Sequence, residues 1–391
     1  MLSVDRKYWI ALVCKIIFIA TSFLITIFIN RGLGVENKGN YAFIIHVVEI
    51  FYVFLSFGIG QAYSTFKRSY DDKYRFIFIL LGLLQGLLTL FAGLLLICIF
   101  KIEYGLAIVI LTSLEVVKII FAMIAVIENS IKRNIIMTIL NVVYLLALFL
   151  LYSCNVKSLD IYLLCYGIND IILIIWLFKS YKMKIYYNRI KQNDLIAIYK
   201  TGFITMIVMF LISINYSVDI VMLKHISTSY YTGLYSVGVT FSNMFLLIPD
   251  SFKEVLFGDS TKKDFNKNLA YNSIKISFVA SFIILIGFII CGEWAINLFY
   301  GNDYSPSYSL TLVLFIGSLS MIFFKILQPI YIAHGNQSKA AIFLACSAVI
   351  NIFLNICLIP KYNAMGAAIS SAISYTICGL LFYIYYKKID F

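Results

Sequence analysis

The sequence predicts an all-α polytopic membrane protein with about twelve transmembrane helices in two six-helix bundles. Of its 391 residues, 62% are apolar and 13% are charged, whereas a soluble domain carries about 25% charged residues. The chain therefore has too few polar residues to cover a surface that faces water. Apolar runs of roughly 20 residues, the length that a bilayer requires, recur along the whole chain. The longest polar connection falls midway, which divides the runs into two groups of six.

The apolar runs define the predicted spans. We place them at residues 8–30, 41–66, 76–100, 105–127, 134–154, 161–178, 195–218, 233–257, 271–292, 308–333, 340–359 and 364–386. The longest connection, Lys179 to Asp194, carries five basic residues and separates spans six and seven. We therefore predict two domains, an N-terminal bundle at 1–194 and a C-terminal bundle at 195–391.

The basic residues predict the orientation of the chain in the membrane. Nineteen Lys and Arg residues flank the spans on the side of the two termini, and six flank them on the other side. Cytoplasmic loops carry an excess of Lys and Arg. This bias predicts that both termini are cytoplasmic, and it accounts for the net charge of +12 without a nucleic-acid partner.

A polar stripe follows the eighth span, within the stretch from Thr201 to Glu254. Five residues of this span fall within an arc of roughly 80° on one helix face: Ser236, Thr240, Asn243, Asp250 and Glu254. The other faces of the helix are apolar. Polar residues inside a membrane span face a bundle interior or an aqueous cavity, so the stripe predicts a polar cavity.

The two halves of the chain have the features of a repeat. A shift of 194 residues aligns Gly39 with Gly233, Tyr41 with Tyr235, His46 with Thr240, Glu49 with Asn243 and Ser56 with Asp250. Six spans are an even number, so both halves enter the membrane from the same side. Parallel repeats of this kind are related by a pseudo-two-fold axis along the membrane normal, with the substrate between them.

Four segments carry a resemblance to a known family. They are the predicted loop RGLGVENKGNYAF at 31–43, the stretch from NYSVDIVMLKH to PDSFKEVLF at 215–257, GNDYSPSY at 301–308, and the stretch from QPIYIAHGNQ to NAMGAAISSAISY at 328–375. With the twelve-span layout, they resemble the polysaccharide flippases, the Wzx-type transporters of O-antigen and capsule repeat units. That family belongs to the multidrug/oligosaccharidyl-lipid/polysaccharide exporter superfamily.

The resemblance implies a fold, a substrate and a location. It implies a V-shaped pair of six-helix bundles in the bacterial cytoplasmic membrane, with a cationic cavity. By alternating access, the pair would move a polyprenyl-pyrophosphate-linked oligosaccharide from the cytoplasmic to the outer leaflet. The implied partners are this substrate, membrane lipids, and the polysaccharide polymerase and glycosyltransferases of the same pathway. Asp219 matches the Asp at the end of the family's seventh helix.

The turn after the family's eleventh helix also has counterparts here. Asn351, Asn355, Pro360 and Gly366 match it. We interpret these four residues as structural, with Pro360 ending a helix and Gly366 allowing close packing.

Ionisable and polar residues within the spans are the candidates for transport. A pyrophosphate must cross about 30 Å of hydrocarbon, and Lys is a suitable point-charge partner for phosphate. The predicted substrate-binding residues are Lys15, Arg31, Lys118, Lys325, Thr240, Asn243 and Asp250. The predicted coupling or gating residues are His46, Glu49, Asp170 and Asp219.

Two pairs of charged residues within the spans also have a purely structural interpretation. Glu115 and Lys118 lie three residues apart and can form a self-neutralised pair that only assists insertion. His46 and Glu49 have the same spacing and can serve packing and hydrogen bonding rather than proton transfer. The eight cysteines show no ligand spacing, so we predict neither a metal nor a cofactor.

Two other functions compete with the flippase. A cation-coupled multidrug antiporter of the same superfamily should have an anionic, aromatic cavity, against which Lys15, Lys118 and Lys325 argue. A membrane enzyme of the polysaccharide pathway needs catalytic residues in large loops, and the longest loop here has about 16 residues. The chain also lacks a GxxxxGK[ST] phosphate loop, so we predict that it is neither an enzyme nor an ATPase.

Overall fold

The structure, a computed structural model, describes residues 6–70, 74–181, 192–260 and 267–388. All regular structure within these ranges is helical. The helices are α1 Arg6–Leu55, α2 Ile59–Tyr70, α3 Arg75–Ile99, α4 Gly105–Ser153, α5 Leu159–Ser180, α6 Gln192–Ile226, α7 Ser229–Phe245, α8 Leu247–Ser260, α9 Lys267–Tyr300, α10 Ser307–Ala333 and α11 Gln337–Lys388. A short 3₁₀ helix, Asn302–Tyr304, precedes α10.

The three longest helices are each interrupted by one non-helical residue. The interruptions are Gly34 (φ 71°) in α1, Asn129 (φ −161°) in α4 and Asn363 (φ 50°) in α11. Helices α4 and α11 each cover two predicted spans, and α1 covers the first span and most of the second, 41–66, which continues in α2. The predicted loop at 31–43 is therefore helical on both sides of Gly34, whose left-handed φ is accessible to glycine.

The prediction that Pro360 ends a helix was wrong. Pro360 lies inside α11, and the helix is interrupted three residues later at Asn363. A proline disrupts bonding to the preceding turn, and neighbouring packing can still carry the helix past it in a membrane protein.

The number of spans remains a prediction. Eight helices in the described ranges are long and apolar enough to cross a membrane, or nine if the bent pair α7 and α8 forms one span. Apolar side chains cover the outside of these helices; Ile290, Ile99 and Leu95 are 74%, 71% and 66% exposed. Surfaces of this kind suit lipid and not water, and the chain is a multi-pass membrane protein.

The eighth predicted span, 233–257, is two helices rather than one. The axes of α7 and α8 differ by 47° across Leu246. Pro249 lies in the first turn of α8, where its missing N–H is tolerated. Its ring would clash with the carbonyl of Phe245 in a continuous helix, which explains the bend. The predicted stripe therefore runs over two helix segments.

The described helices form two compact units. Unit 1 comprises Met1–Gly34 and Ile44–Phe210, and unit 2 comprises Val35–Phe43 and Leu211–Phe391. The core of unit 1 contains Tyr63, Phe78 and Phe121. The domain boundary at residues 194 and 195 remains a prediction.

Within unit 2, two glycines bring backbones into close contact. A Cβ on Gly39 would lie 1.8 Å from the carbonyl oxygen of Ser229, and a Cβ on Gly233 would lie 2.0 Å from that of Val35. The shift of 194 residues exchanges these two contacts. Such reciprocity is expected of equivalent segments on either side of a local two-fold axis, and it supports the predicted repeat.

Candidate functional site

Unit 1 contains a buried cluster of charges, which we call the α4–α5 cluster: Glu115 and Lys118 on α4, and Tyr166 and Asp170 on α5. The Lys118 Nζ lies 2.5 Å from Glu115 Oε1 and 2.9 Å from Asp170 Oδ1. The Tyr166 hydroxyl donates to Glu115 Oε1. Glu115 and Asp170 are 5% and 1% exposed. The three- and four-residue spacings place each pair on one helix face.

The α4–α5 cluster holds two carboxylates for one ammonium group. Lys118 therefore has two charged partners already, and its predicted role as a phosphate ligand receives no support from this geometry. The predicted pairing of Glu115 with Lys118 is observed, whereas the sequence did not reveal that Asp170 completes it. Contacts between two helices depend on their rotation, which a single sequence does not specify.

His46 and Glu49 also form a pair, on α1 beyond its interruption. The His46 Nδ1 lies 3.3 Å from Glu49 Oε2, with side chains 22% and 36% exposed. Tyr52, one turn further on, lies within electrostatic range of Glu49, Glu115 and Asp170. The His46–Glu49 pair and the α4–α5 cluster are thus neighbours within unit 1.

Unit 2 contains a second ion pair. The Lys325 Nζ lies 3.0 Å from Asp250 Oδ2, with side chains 17% and 37% exposed. The same ammonium lies 5.4 Å from the centre of the Tyr216 ring, within the range of a cation–π interaction. Pro329, one turn after Lys325, lacks the N–H that would bond to the Lys325 carbonyl, so this turn of α10 is locally perturbed. Two predicted residues, Lys325 and Asp250, are brought together here.

Asp219 lies in a buried network of uncharged groups in unit 2. The carboxylate accepts hydrogen bonds from Asn355 Nδ2 at 2.9 Å, Tyr235 OH at 2.9 Å and Ser371 Oγ at 2.5 Å. Asn355 Nδ2 also donates to Asn351 Oδ1 at 2.8 Å. Asp219 is 1% exposed. Its electrostatic neighbours among the described residues are hydroxyl and amide groups only.

This network also involves α11. Asn351 and Asn355, which the sequence analysis interpreted as structural, are buried and join the Asp219 network together with Ser371. Their four-residue spacing, which places both amides on one helix face, is the signal that pointed inward. Tyr235 was recognised only as a repeat position. The sequence could not show that its hydroxyl donates a hydrogen bond to the Asp219 carboxylate.

The remaining candidate residues lie outside these contacts. Lys15 and Arg31 are exposed on α1, and Asn243 is exposed on α7. Thr240 is half-buried and donates to the Ser236 carbonyl at 2.8 Å. Part of the stripe is thus bonded to its own helix. The side chain of Glu254 lies outside the described residues.

The described residues contain no group of three or more His, Cys, Asp or Glu side chains that could hold a metal ion. The Asp219 network is instead built of one carboxylate with amide and hydroxyl oxygens. Hard cations prefer oxygen ligands, so the network has the donor type for such a cation.

Comparison with solved structures identifies the fold. The chain is similar to the lipid II flippase MurJ in an inward closed conformation, with a TM-score of 0.74, 19% identity, and coverage of 95% of this chain and 87% of that chain. It is similar to a multidrug resistance MATE family transporter of the MOP superfamily in an inward-facing conformation. That TM-score is 0.74 at 11% identity, with coverage of 94% and 93%. The chain has the MOP superfamily fold.

Comparison of sequences adds a relative from polysaccharide biosynthesis. The chain is 27% identical over 273 residues to the capsular polysaccharide biosynthesis protein CapF of Staphylococcus aureus. The match covers 65% of this chain and 66% of that protein, slightly less than two thirds of its length. No family model matches the chain. The resemblance predicted from the sequence is confirmed, as is the all-α membrane fold.

Proposed function

We propose that the chain is a flippase for a polyprenyl-pyrophosphate-linked oligosaccharide, a repeat unit of O-antigen, capsule or a related polysaccharide. The protein would move this substrate across the bacterial cytoplasmic membrane by alternating access. Both termini of the protein would lie in the cytoplasm. The observation that carries the proposal is the sequence match to a capsular polysaccharide biosynthesis protein in a chain with the MOP superfamily fold. The compared proteins are a flippase, a transporter and a biosynthesis protein with no activity in its name, so a membrane enzyme has less support.

The two deep lysines have different roles in this proposal. Lys325 is the phosphate ligand, because its partner Asp250 is 37% exposed in its side chain and can turn to water when a phosphate arrives. Lys118 is held by two carboxylates whose side chains are 7% and 2% exposed, which have no such alternative. Lys118 therefore balances the charge of Glu115 and Asp170 rather than binding substrate. Lys15 and Arg31, exposed on α1, supply further cationic charge along the path.

The buried carboxylates provide the coupling site. An ionised carboxylate in a dry interior is costly unless its charge is balanced. Asp219 accepts three hydrogen bonds from neutral donors, and the nearby Asn355 Oδ1 has no hydrogen-bond partner among the described residues. A proton or a small cation at Asp219 would balance the charge and satisfy this oxygen. Asp170, Glu49 and His46 form the equivalent acidic group in unit 1.

Deletion of the gene in the source bacterium tests the flippase directly. Surface polysaccharide should be lost while lipid-linked repeat units accumulate in the cell. Reintroduced Lys325→Ala and Lys15→Ala variants should each restore little polysaccharide at a normal protein level. Lys275→Ala, which removes an exposed lysine of α9, is the matched control and should restore it fully. Unchanged polysaccharide after deletion would rule out the flippase.

A cation-coupled multidrug antiporter is the second candidate. The excess carboxylate of the α4–α5 cluster favours it, because a site of net negative charge suits a cationic drug. The paired state of Lys118 also weakens the argument that deep lysines exclude such a drug. In that case, deletion should raise the cellular accumulation of ethidium and leave surface polysaccharide unchanged.

A further inference from the structure

Unit 1 contains an apolar groove that is lined by no charged residue among those that the structure describes. It lies between residues 47–55 of α1, 85–97 of α3 and 102–112 at the start of α4, and its volume is about 390 Å³. Twelve residues of rise along α3 give it a length of about 18 Å. The groove therefore covers more than half of the hydrocarbon thickness of about 30 Å.

The groove opens at the surface of unit 1. Phe51, Leu88 and Leu96 form its rim and are 49%, 61% and 51% exposed. Its lining also includes two small residues, the exposed Ala92 and the half-buried Gly93, which leave room for a branched chain beside the aromatic rim. Surface and shape together fit a flexible hydrocarbon chain that enters from the side.

One end of the groove is polar. Gln85 donates from Nε2 to the Leu55 carbonyl at 2.7 Å, and Thr89 donates to the Gln85 carbonyl at 2.8 Å. Thr112 is different: it is only 3% exposed, and its hydroxyl has no hydrogen-bond partner in the part of the chain that the structure describes. Buried hydroxyls are nearly always bonded because leaving one unpaired is costly. The Thr112 hydroxyl can therefore donate a hydrogen bond to a bound molecule.

The polar end continues into the α4–α5 cluster. Glu115 follows Thr112 by about one turn of α4, and Tyr52 on α1 interacts electrostatically with Glu115. An apolar groove that ends at a hydroxyl and then at charged groups matches a molecule with a hydrocarbon chain and a polar head. It does not match a purely apolar ligand.

We propose that this groove binds the isoprenoid chain of the lipid-linked substrate, a subsite that rests on the proposed function. The chain occupies the apolar length from Ile97 to Leu88. The Thr112 hydroxyl donates to the ester oxygen where the chain joins its head group. The groove thereby holds the lipid in register with the polar groups of unit 1.

The test uses the full-length protein in nanodiscs of defined phospholipid. The probe is a C55 polyprenyl phosphate with a photoactivatable diazirine in its chain, and labelled peptides are mapped by mass spectrometry. Ala92→Trp fills the groove. Leu95→Trp is the matched control, since Leu95 is 66% exposed on the same helix and does not line the groove. Thr112→Val removes only the hydroxyl at nearly constant shape.

The expected result is labelling of α3 and α4 in the wild type and in Leu95→Trp, and about tenfold less in Ala92→Trp. The apparent affinity should fall about fivefold in Thr112→Val, the loss expected of one hydrogen bond. Without probe, Thr112→Val should unfold at the same temperature as the wild type or higher, since it removes an unpaired hydroxyl. A lower unfolding temperature with unchanged affinity would assign Thr112 a structural role and overturn the proposal.

Other outcomes also overturn it. They are labelling outside the groove, equal labelling of Ala92→Trp and wild type, or displacement of the probe by excess phosphatidylglycerol as readily as by unlabelled polyprenyl phosphate. The Thr112→Val variant preserves the test if Ala92→Trp does not fold. Failure here is distinct from failure of the flippase proposal. If gene deletion abolishes surface polysaccharide and the probe misses the groove, only the subsite is wrong.

Discussion

Removal of the Lys118 charge should destabilise unit 1 strongly. In Lys118→Met, a side chain of similar length replaces the ammonium that bonds both Glu115 Oε1 and Asp170 Oδ1. The two carboxylates then face each other without a cation between them. Both are nearly fully buried, so water cannot screen them.

The magnitude follows from the geometry. The two oxygens lie within about 5.4 Å of each other, because each is bonded to the same nitrogen, at 2.5 and 2.9 Å. At an effective dielectric constant of about 20, two unit charges at that separation repel by about 3 kcal/mol. Breaking a buried ion pair by removing one partner typically costs about 3–5 kcal/mol. We therefore expect a loss of about 3 kcal/mol or more.

The assay is unfolding of the purified chain by SDS in mixed micelles, followed by helical circular dichroism. Two variants accompany Lys118→Met. Adding Asp170→Asn removes one of the two opposed charges and should recover most of the loss. Lys325→Met leaves a partner that is 37% exposed, and it should cost only about 0–1 kcal/mol, as for an exposed pair.

The pattern among the three variants decides the result. If Lys118→Met is as stable as the wild type, the cluster is wet or its carboxylates are already neutral. If Lys118→Met/Asp170→Asn stays as unstable as the single variant, lost packing rather than charge repulsion is the cause. Either result contradicts the electrostatic explanation.

Three further predictions concern unit 2. Gly39→Ala should lower stability by about 1–3 kcal/mol through overpacking, because its Cβ would lie 1.8 Å from a carbonyl oxygen of α7. A Cβ on Gly287 would have no described neighbour within 4 Å, so Gly287→Ala should be tolerated. Equal melting temperatures of the two variants would contradict this prediction. The melting temperature of the wild type should rise with Na⁺ or shift with pH as a cation binds to the folded state. Asp219→Asn should respond less than the wild type, because only the acidic group of unit 1 remains; a full response in Asp219→Asn would exclude this site. Cysteines at Thr240 and Asn243, in a chain without its native cysteines, should react with a hydrophilic thiol reagent, and protection of both positions would contradict a water-filled cavity.

The sequence predicted the elements that depend on composition and spacing. Apolar runs marked nearly every helix, because the bilayer imposes their length. Ion pairs within one helix, such as His46 with Glu49, followed from three-residue spacing. The predicted loop at 31–43 was wrong because one glycine suffices to interrupt the helix there, whereas polar composition suggested a longer turn. The 47° bend after α7 could have been predicted only by treating Pro249 as a helix breaker.

What the sequence could not supply is the set of contacts between helices. Asp170 was predicted as a coupling residue and Lys118 as a substrate ligand, yet they bond to each other. Asp219 was predicted only by resemblance, and its partners come from three other segments of the chain. These contacts depend on how each helix is rotated and tilted, and apolar periodicity is a weak guide in a membrane where the outer faces are also apolar.

The pairing of Lys118 and of Lys325 changes how a cationic cavity should be understood. A lysine that is fully paired in the resting protein contributes no free charge, so the exchange of its partner matters more than its presence. The Lys325–Asp250 pair can exchange because Asp250 reaches water, and a pyrophosphate offers more negative charge and more acceptor oxygens than one carboxylate. Lys118 cannot exchange without leaving two buried carboxylates unpaired, at a cost of about 3 kcal/mol or more.

This difference predicts a separation of stability from transport. Lys325→Ala should be nearly as stable as the wild type and inactive in surface polysaccharide export. Lys118→Met/Asp170→Asn should regain stability and retain the substrate-binding step, measured as saturable labelling by a photoactivatable polyprenyl pyrophosphate. If instead Lys325→Ala exports normally and the Lys118 double variant loses binding, the phosphate ligand belongs to unit 1, and the assignment of the two lysines must be reversed.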